Sequence, residues 1–297
     1  MSTLAPPPRQ LEYQDVLGIA RGTWATIARI RGTNLVMKSH SATNHDFHEI
    51  ERAVYERLGA HPYILPYHGE AVYHFEDTAQ KVLVLQYCAR GMLGQEYVEG
   101  RVPPAAQRTR WLSQIVDALC HLHAHHITHA DLGIHNILIQ DDSSIALADF
   151  GGSGIDSSPS LVAPCTRYAR PLISPVDIIT PLDDIFALGG VLYELCTGRL
   201  LFWDLQADED QVAARYAQGR YPDLELVPPG IRAVILACWR LEVQSVDEVA
   251  AQLGVALRAG EGAVECGGGV WAAALVVGAA VALMLGNNVR RLCLEAF

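Results

Sequence analysis

Three polar side chains are crowded into a short part of this chain. Asp131 and Asn136 lie in His129-Ala130-Asp131-Leu132-Gly133-Ile134-His135-Asn136, and Asp149 begins Asp149-Phe150-Gly151. The first two precede the apolar run Ile137-Leu138-Ile139, and Asp149 follows a second run, Ile145-Ala146-Leu147-Ala148. With Asp141-Asp142-Ser143-Ser144 as a tight turn, the runs form two short strands, and the three side chains gather at one end of a hairpin. A carboxylate able to accept a proton, an amide and a second carboxylate could there hold a magnesium ion and orient a hydroxyl. Phosphoryl transfer needs little more, because positioning and charge neutralisation supply most of the catalysis. Each residue alone would be an ordinary turn former; the joint spacing is what carries the chemistry.

Other elements must bring partners to that hairpin. Tyr13 to Leu35 alternates loosely and is broken by glycines, which predicts a meander with Arg31-Gly32-Thr33-Asn34 as a hairpin turn. Leu35-Val36-Met37-Lys38 is a short strand ending in a lysine. Asp46 to Leu58 reads as a helix with Ile50, Val54 and Leu58 on one face and Gly59 as the stop. Lys81-Val82-Leu83-Val84-Leu85 is a buried central strand, and Ala89-Arg90-Gly91 is a joint between lobes. Beyond it the pattern turns helical. Trp111, Ile115, Ala118 and Leu122 recur at helical spacing, and Ile185 to Leu195 is apolar on nearly every face, as in a helix at the centre of a lobe. Asp183 or Asp184 is placed to cap it, and Gly198 to end it. Ile231 to Trp239 and Val246 to Leu253 predict two more helices. The fold class expected is α+β and bilobal, a small β-rich N-lobe joined to a larger helical C-lobe.

H-x-D-L-x-x-x-N followed by D-F-G resembles the catalytic loop and metal-binding triplet of eukaryotic protein kinases, and the resemblance runs from about Leu11 to Leu253. It implies an ATP- and magnesium-dependent enzyme acting on a protein serine or threonine. By the same resemblance Asp131 is the catalytic base, and Asn136 and Asp149 are magnesium ligands supplying hard oxygen atoms. Lys38, in Val36-Met37-Lys38, takes the place of the lysine that contacts the α- and β-phosphates. Taken alone it would be a solvated strand end. Glu51 is its expected partner, because it shares a helical face with Val54, Tyr55 and Leu58; Glu49 is the competitor on another face. Gly18, Ala20, Gln86 and Cys88 complete the implied nucleotide-binding set. Asp184 begins Asp-Ile-Phe-Ala-Leu-Gly, similar to the family's D-x-W-x-x-G segment, whose aspartate anchors the catalytic loop.

Several family positions are altered. The glycine-rich loop, Leu17 to Ala25, matches at Gly18 only, with Ala20 and Thr23 at the other glycine positions. Glycine there lets the backbone approach phosphates closely, so weakened nucleotide contacts are expected. Ala130 replaces the arginine before the catalytic aspartate, leaving phosphorylation at Ser157, Ser158, Ser160 or Thr166 without an obvious receptor. Control independent of such phosphorylation is therefore expected. Gly133 stands where serine/threonine kinases carry a lysine, which removes a positive charge near the transferred phosphate. Tyr168-Ala169-Arg170-Pro171 sits where A-P-E is expected and lacks the glutamate and its ion pair. Two further functions thus stand beside the active protein kinase: a pseudokinase scaffold, and a small-molecule kinase of the aminoglycoside or choline type. Asp149-Phe150-Gly151 and the Asp184 to Gly189 segment favour the protein-kinase branch.

Composition narrows the rest. The chain has 297 residues, half of them hydrophobic, enough for two lobes with a substantial core. A formal net charge of −11 argues against nucleic acid as a partner. Seven scattered cysteines without C-x-x-C spacing suit a reducing compartment such as the cytoplasm. The histidines at 121, 123, 125, 126 and 129 lack a second cluster with ligand spacing, so no metal site is expected of them.

The expected organisation is a disordered leader over 1–10, a kinase domain over 11–256 (N-lobe 11–87, C-lobe 92–256) and a tail over 257–297. Within the tail, 267–286 is uncharged and about as long as a membrane-spanning helix requires. It could anchor the protein in a membrane or pack as an alanine-rich helix on the large lobe. Arg290 and Arg291 after the run, and Glu261 and Glu265 before it, orient poorly for a cytosolic catalytic lobe.

Overall fold

A computed structural model describes residues 7–22, 24–41, 45–156, 158–171, 178–205 and 208–265. The N-terminal third forms one six-stranded sheet in the order β1-β5-β6-β4-β3-β2. Its strands are β1 (Gln10–Glu12), β2 (Val16–Arg21), β3 (Ala25–Ile30), β4 (Leu35–His40), β5 (Tyr67–Phe75) and β6 (Thr78–Gln86). Neighbours run antiparallel except β1, which joins β5 in parallel. β1 opens at Gln10, the last residue assigned above to the leader. The β3–β4 turn falls on residues 31–34 as expected. Gly32 there has φ +70°, a left-handed backbone that favours glycine.

Helix α1 (His45–Leu58) packs on this sheet through His48, Glu51, Val54, Tyr55 and Leu58. That face is rotated slightly from the Ile50-Val54-Leu58 stripe, and Ile50 lies at its edge, partly buried. The rotation turns Glu51 inward. Val82, Leu83 and Val84 on β6 are fully buried, as befits a strand flanked by neighbours on both sides.

The remaining elements build the helical lobe. They are α2 (Leu93–Val98), α3 (Ala105–Ala124), β7 (Ile127–Thr128), β8 (Ile137–Ile139), β9 (Ile145–Leu147), β10 (Gly154–Ile155), α4 (Pro181–Thr197), α5 (Glu209–Ala217), α6 (Pro229–Trp239) and α7 (Val246–Glu265). β8 pairs with β9 as the expected hairpin, and β7 pairs with β10. Every residue of α4 from Asp183 to Leu195 is buried, so this helix is the axis of the lobe. Its cap differs from expectation. Thr180 is the N-cap, and Asp183 bonds back to the Thr180 backbone N–H from the third helical position. Asp184 is thereby left for another task. Gly198 ends the helix in the left-handed conformation, φ +70°.

One hydrophobic core runs through both lobes, from Val36, Val54 and Leu83 to Trp111, Leu147, Phe150 and Leu192. A smaller core, around Leu11, Ile30, Met37 and Val84, fills the outer side of the sheet. Burying each large aliphatic or aromatic side chain is worth about 1.5–3 kcal/mol. Among the described residues no helix is long and apolar enough to cross a membrane, and 267–286 lies outside them. The described cysteines, at 88, 120, 165, 196 and 238, are free thiols.

Candidate active site

The crevice between the lobes is lined first by an ion cluster. Lys38, on β4 opposite Leu83 of β6, reaches across to α1. Its Nζ lies 2.9 Å from Glu51 Oε1 and 2.7 Å from Oε2, and 2.6 Å from Asp149 Oδ1. The Glu51 side chain is wholly buried and Lys38 nearly so, whereas half of Asp149 is open to the crevice. Glu49 instead bonds Arg52 on the outer face of α1, so the helix brings Glu51, not Glu49, to Lys38. Burial alone would depress the Lys38 ammonium. The Asp149 and Glu51 carboxylates outweigh it and hold the pKa above its ordinary value. Burial likewise opposes the charge on Asp149, but Lys38 beside it keeps that carboxyl below its usual range. Both groups are therefore charged at neutral pH.

The loop between β7 and β8 supplies the second half of the site. Ala130 has φ +69°, a conformation that costs a residue with a Cβ about 1–2 kcal/mol. Asp184, at the start of α4, holds it there. Its carboxylate accepts the backbone N–H groups of His129 (2.7 Å) and Ala130 (2.9 Å) and bonds the His123 ring (2.9 Å). The anchoring that the D-x-W-x-x-G resemblance implied is thus made by direct bonds. A 3-10 turn over Ile134–Asn136 then leads into β8. Asn136 Nδ2 donates to the Asp131 backbone carbonyl (2.8 Å) and to Asp131 Oδ2 (3.1 Å). With Nδ2 so engaged, Oδ1 is the amide atom chemically able to serve as a metal ligand.

Asp149 leaves β9 with φ +66°, and the N–H of Ala148 donates to the Asn136 carbonyl (3.0 Å), so the two proposed metal ligands sit at one end of the hairpin. An amide oxygen and one carboxylate are ligands of the kind magnesium takes from a protein. Phe150 is fully buried between Tyr55 of α1 (ring centroids 5.1 Å apart) and His129 of the loop (5.3 Å). It locks the helix that carries Glu51 to the loop that carries Asp131.

Comparison with known proteins settles the family. A family model described as the protein kinase domain matches residues 22–245. The chain belongs to the protein kinase family. It is 32% identical over 164 residues to the serine/threonine-protein kinase PrkC of Bacillus subtilis, a match covering 52% of this chain and 25% of that protein. To Nek3 of Mus musculus it is 32% identical over 129 residues, 41% of this chain and 25% of the relative. To NUAK family SNF1-like kinase 1 of Homo sapiens it is 28% identical over 207 residues, 64% of this chain and 30% of the relative. The chain thus spans roughly a quarter to a third of these kinases' own length.

The kinase domain departs from its family in ways the structure makes physical. In the glycine-rich loop, β2 carries a bulge between Gly18 and Ala20, and a Cβ at Gly18 would meet open space. Thr23 lies outside the described residues. Trp24 stacks on Phe47 of α1 with centroids 5.1 Å apart, tying loop to helix. Gln86 ends β6 and Cys88 leads from it into the joint between the lobes. The Gln86 side chain braces it by donating to the Asn34 carbonyl (2.9 Å), and burial pushes the Cys88 thiol up to about 11.

The Tyr168 to Pro171 segment is anchored with its charges reversed. Arg170 Nε pairs with Asp183 (2.6 Å), Arg167 bonds the Leu201 and Phe202 carbonyls, and Tyr168 donates to buried Glu194 (2.7 Å). In the Arg170–Asp183 pair the segment supplies the cation and α4 the carboxylate. Asp156, after β10, pairs with Arg57 of α1 through both oxygens (2.8 and 3.1 Å).

The histidines near the loop serve separate structural bonds. His121 bonds the Leu58 carbonyl, His125 the His121 carbonyl and His129 the Ala148 carbonyl. Among the described residues no three or more His, Cys, Asp or Glu side chains converge as a metal-binding group. Sequence reasoning missed His135, whose Nε2 lies 3.4 Å from Asp131 Oδ2. Burial would lower its pKa, but Asp131 more than offsets this and raises it. Its signal was present in the sequence as a histidine four residues after Asp131.

Proposed function

We propose that this kinase domain transfers the γ-phosphoryl group of ATP to a serine or threonine hydroxyl of a protein. The observation that carries the proposal is the Lys38–Glu51–Asp149 ion cluster assembled across the crevice from the Asp131–Asn136 pair. Magnesium, when bound, neutralises phosphate charge and aligns the nucleotide. The chain's own residues do the rest. Lys38, held by Glu51, grips phosphate oxygens; Gly18, Ala20 and the joint at Gln86 and Cys88 line the nucleotide's place; Asn136 Oδ1 and Asp149 offer the cation its protein ligands. Asp131 takes the hydroxyl proton as the new O–P bond forms and the bond to the β-phosphate breaks.

The pairing of Asp156 with Arg57 supports control without phosphorylation, since a fixed carboxylate already ties the segment after Asp149 to α1. The loss of glycine at 20 and 23 favours a second reading, a scaffold that binds nucleotide without turning it over. Transfer of radiolabelled phosphate from Mg-ATP to a generic protein substrate distinguishes the two. Asp131→Asn is expected to lower kcat by a factor of about 10² or more, and Lys38→Met to abolish measurable transfer. ATP binding with no turnover in the unaltered chain establishes the scaffold, and turnover on small metabolites alone establishes a small-molecule kinase. Anchoring to a membrane through 267–286 remains a proposal for a vesicle-flotation assay of the full chain.

A further inference from the structure

We propose that His135 is a positioning residue for Asp131, its imidazole occupying the space beside the base that a side chain on residue 133 would otherwise fill. The role deepens the phosphotransfer proposed above and rests on it. Gly133 has φ −173° and ψ 168°, an extended backbone open to any residue, so its conformation does not call for glycine. The surrounding space does. A Cβ on residue 133 would lie 2.4 Å from His135 Cε1, 2.6 Å from Nδ1 and 2.8 Å from Tyr168 Cε2. A side chain there would therefore require the imidazole to move from its place. Glycine at 133 and histidine at 135 form one arrangement, in which the ring covers the glycine.

The ring is held from behind and aimed in front. Behind it, the Tyr168 ring lies 5.7 Å away by centroid. That tyrosine is itself fixed, donating to Glu194 Oε2 (2.7 Å) and accepting the N–H of Ile134 (3.4 Å). In front, His135 Nε2 faces Asp131 Oδ2 at 3.4 Å, and Asn136 Nδ2 meets the same oxygen at 3.1 Å. Two donors from adjacent residues thus converge on Oδ2, and Oδ1 is the oxygen they leave for the substrate hydroxyl. The donor missing at residue 133 is supplied two residues later by a shorter side chain that acts through the base.

The test separates the ring's packing from its nitrogen. Wild type, His135→Phe, His135→Gln and Gly133→Ala are compared in the phosphate-transfer assay, with kcat and the KM for ATP resolved and thermal unfolding recorded. His135→Phe keeps a ring against Tyr168 and removes Nε2. Its kcat is expected to fall at least about tenfold while the KM for ATP stays within about twofold. His135→Gln, which returns an N–H donor, recovers most of that loss. Gly133→Ala, whose methyl displaces the imidazole, loses kcat as His135→Phe does. A packing role alone would reverse the order of the two position-135 variants and overturn the proposal. So would a folded His135→Phe with kcat within about twofold of an active wild type, or, should that variant not fold, a folded Gly133→Ala with unchanged kcat. Absence of turnover in wild type removes the phosphotransfer itself and this role with it; an unaltered variant beside an active wild type removes only the role of His135.

Discussion

Glu194 shows how much one carboxyl group can do when it is removed from water. It lies on α4 at 1% exposure, accepting the Leu201 N–H and the Tyr168 hydroxyl. Burial raises its pKa from an ordinary 4.5 to about 7, against the pull of those two hydrogen bonds. Between the two values the folded protein keeps a proton that the unfolded chain releases. Stability therefore falls as pH rises through that window, by at most about 1.4 kcal/mol per unit, and levels off above the folded value. Glu194→Gln is expected to flatten this slope. Urea midpoints measured at about pH 5 and about pH 7.5 check it: the native midpoint falls between the two and the variant's does not. Because Glu194 also fixes Tyr168, behind His135, its substitution should reach the crevice as well as the core.

Among elements, α4 organises the large lobe, and it does so with two glycines that a helix would not choose for itself. In a helix interior glycine costs about 1 kcal/mol relative to alanine. Here Gly189 admits Trp239 and Cys238 of α6: an added Cβ would lie 2.9 Å from Trp239 Cδ1 and 3.0 Å from Cys238 Cβ. Gly190 admits Leu201 at 2.7 Å in the same sense. Gly189→Ala is therefore expected to destabilise by about 1–2 kcal/mol despite its better helix propensity, because overpacking outweighs the gain. Chemical denaturation measures this. A variant more stable than wild type would mean that α6 can move aside.

For the whole molecule, the continuous core joining the lobes is the decisive feature. Phe150 bridges it, touching α1 on one side and the Asp131 loop on the other. Phe150→Ala is expected to cost about 3–5 kcal/mol and to lower kcat as well, since Glu51 and Lys38 would lose their link to the base. Equilibrium unfolding and the transfer assay test the two halves of that statement separately. The Arg57–Asp156 pair spans the same lobes at the surface, where salt screens it. With that clamp permanently charged, Ser158→Ala, Ser160→Ala and Thr166→Ala together should retain activity within about threefold. Mass spectrometry and the same assay check this, and loss of activity in the triple variant would show that a phosphate is required after all.

Much of this was legible in the residue order because the signals were local. The β8–β9 hairpin, α1, α3, α4 and the buried β6 all follow from periodicity and turn chemistry within a few residues. Asp131, Asn136 and Asp149 were legible because the hairpin between them leaves little freedom in where they end. Helix α5 was not, since Glu209–Ala217 buries only Val212 and Tyr216 and so short a helix depends on what it packs against. Neither were β7 and β10, two-residue strands that exist through pairing at long range. Sequence by itself pointed to the protein kinase family and to the side chains proposed above for its chemistry. Tertiary structure alone decided that Thr180 rather than an aspartate caps α4 while Asp184 clamps the loop, and that His135 fills the space over Gly133. Those choices turn on which way a side chain points and what lies against it, and both are set only when distant segments close around the same few cubic ångströms.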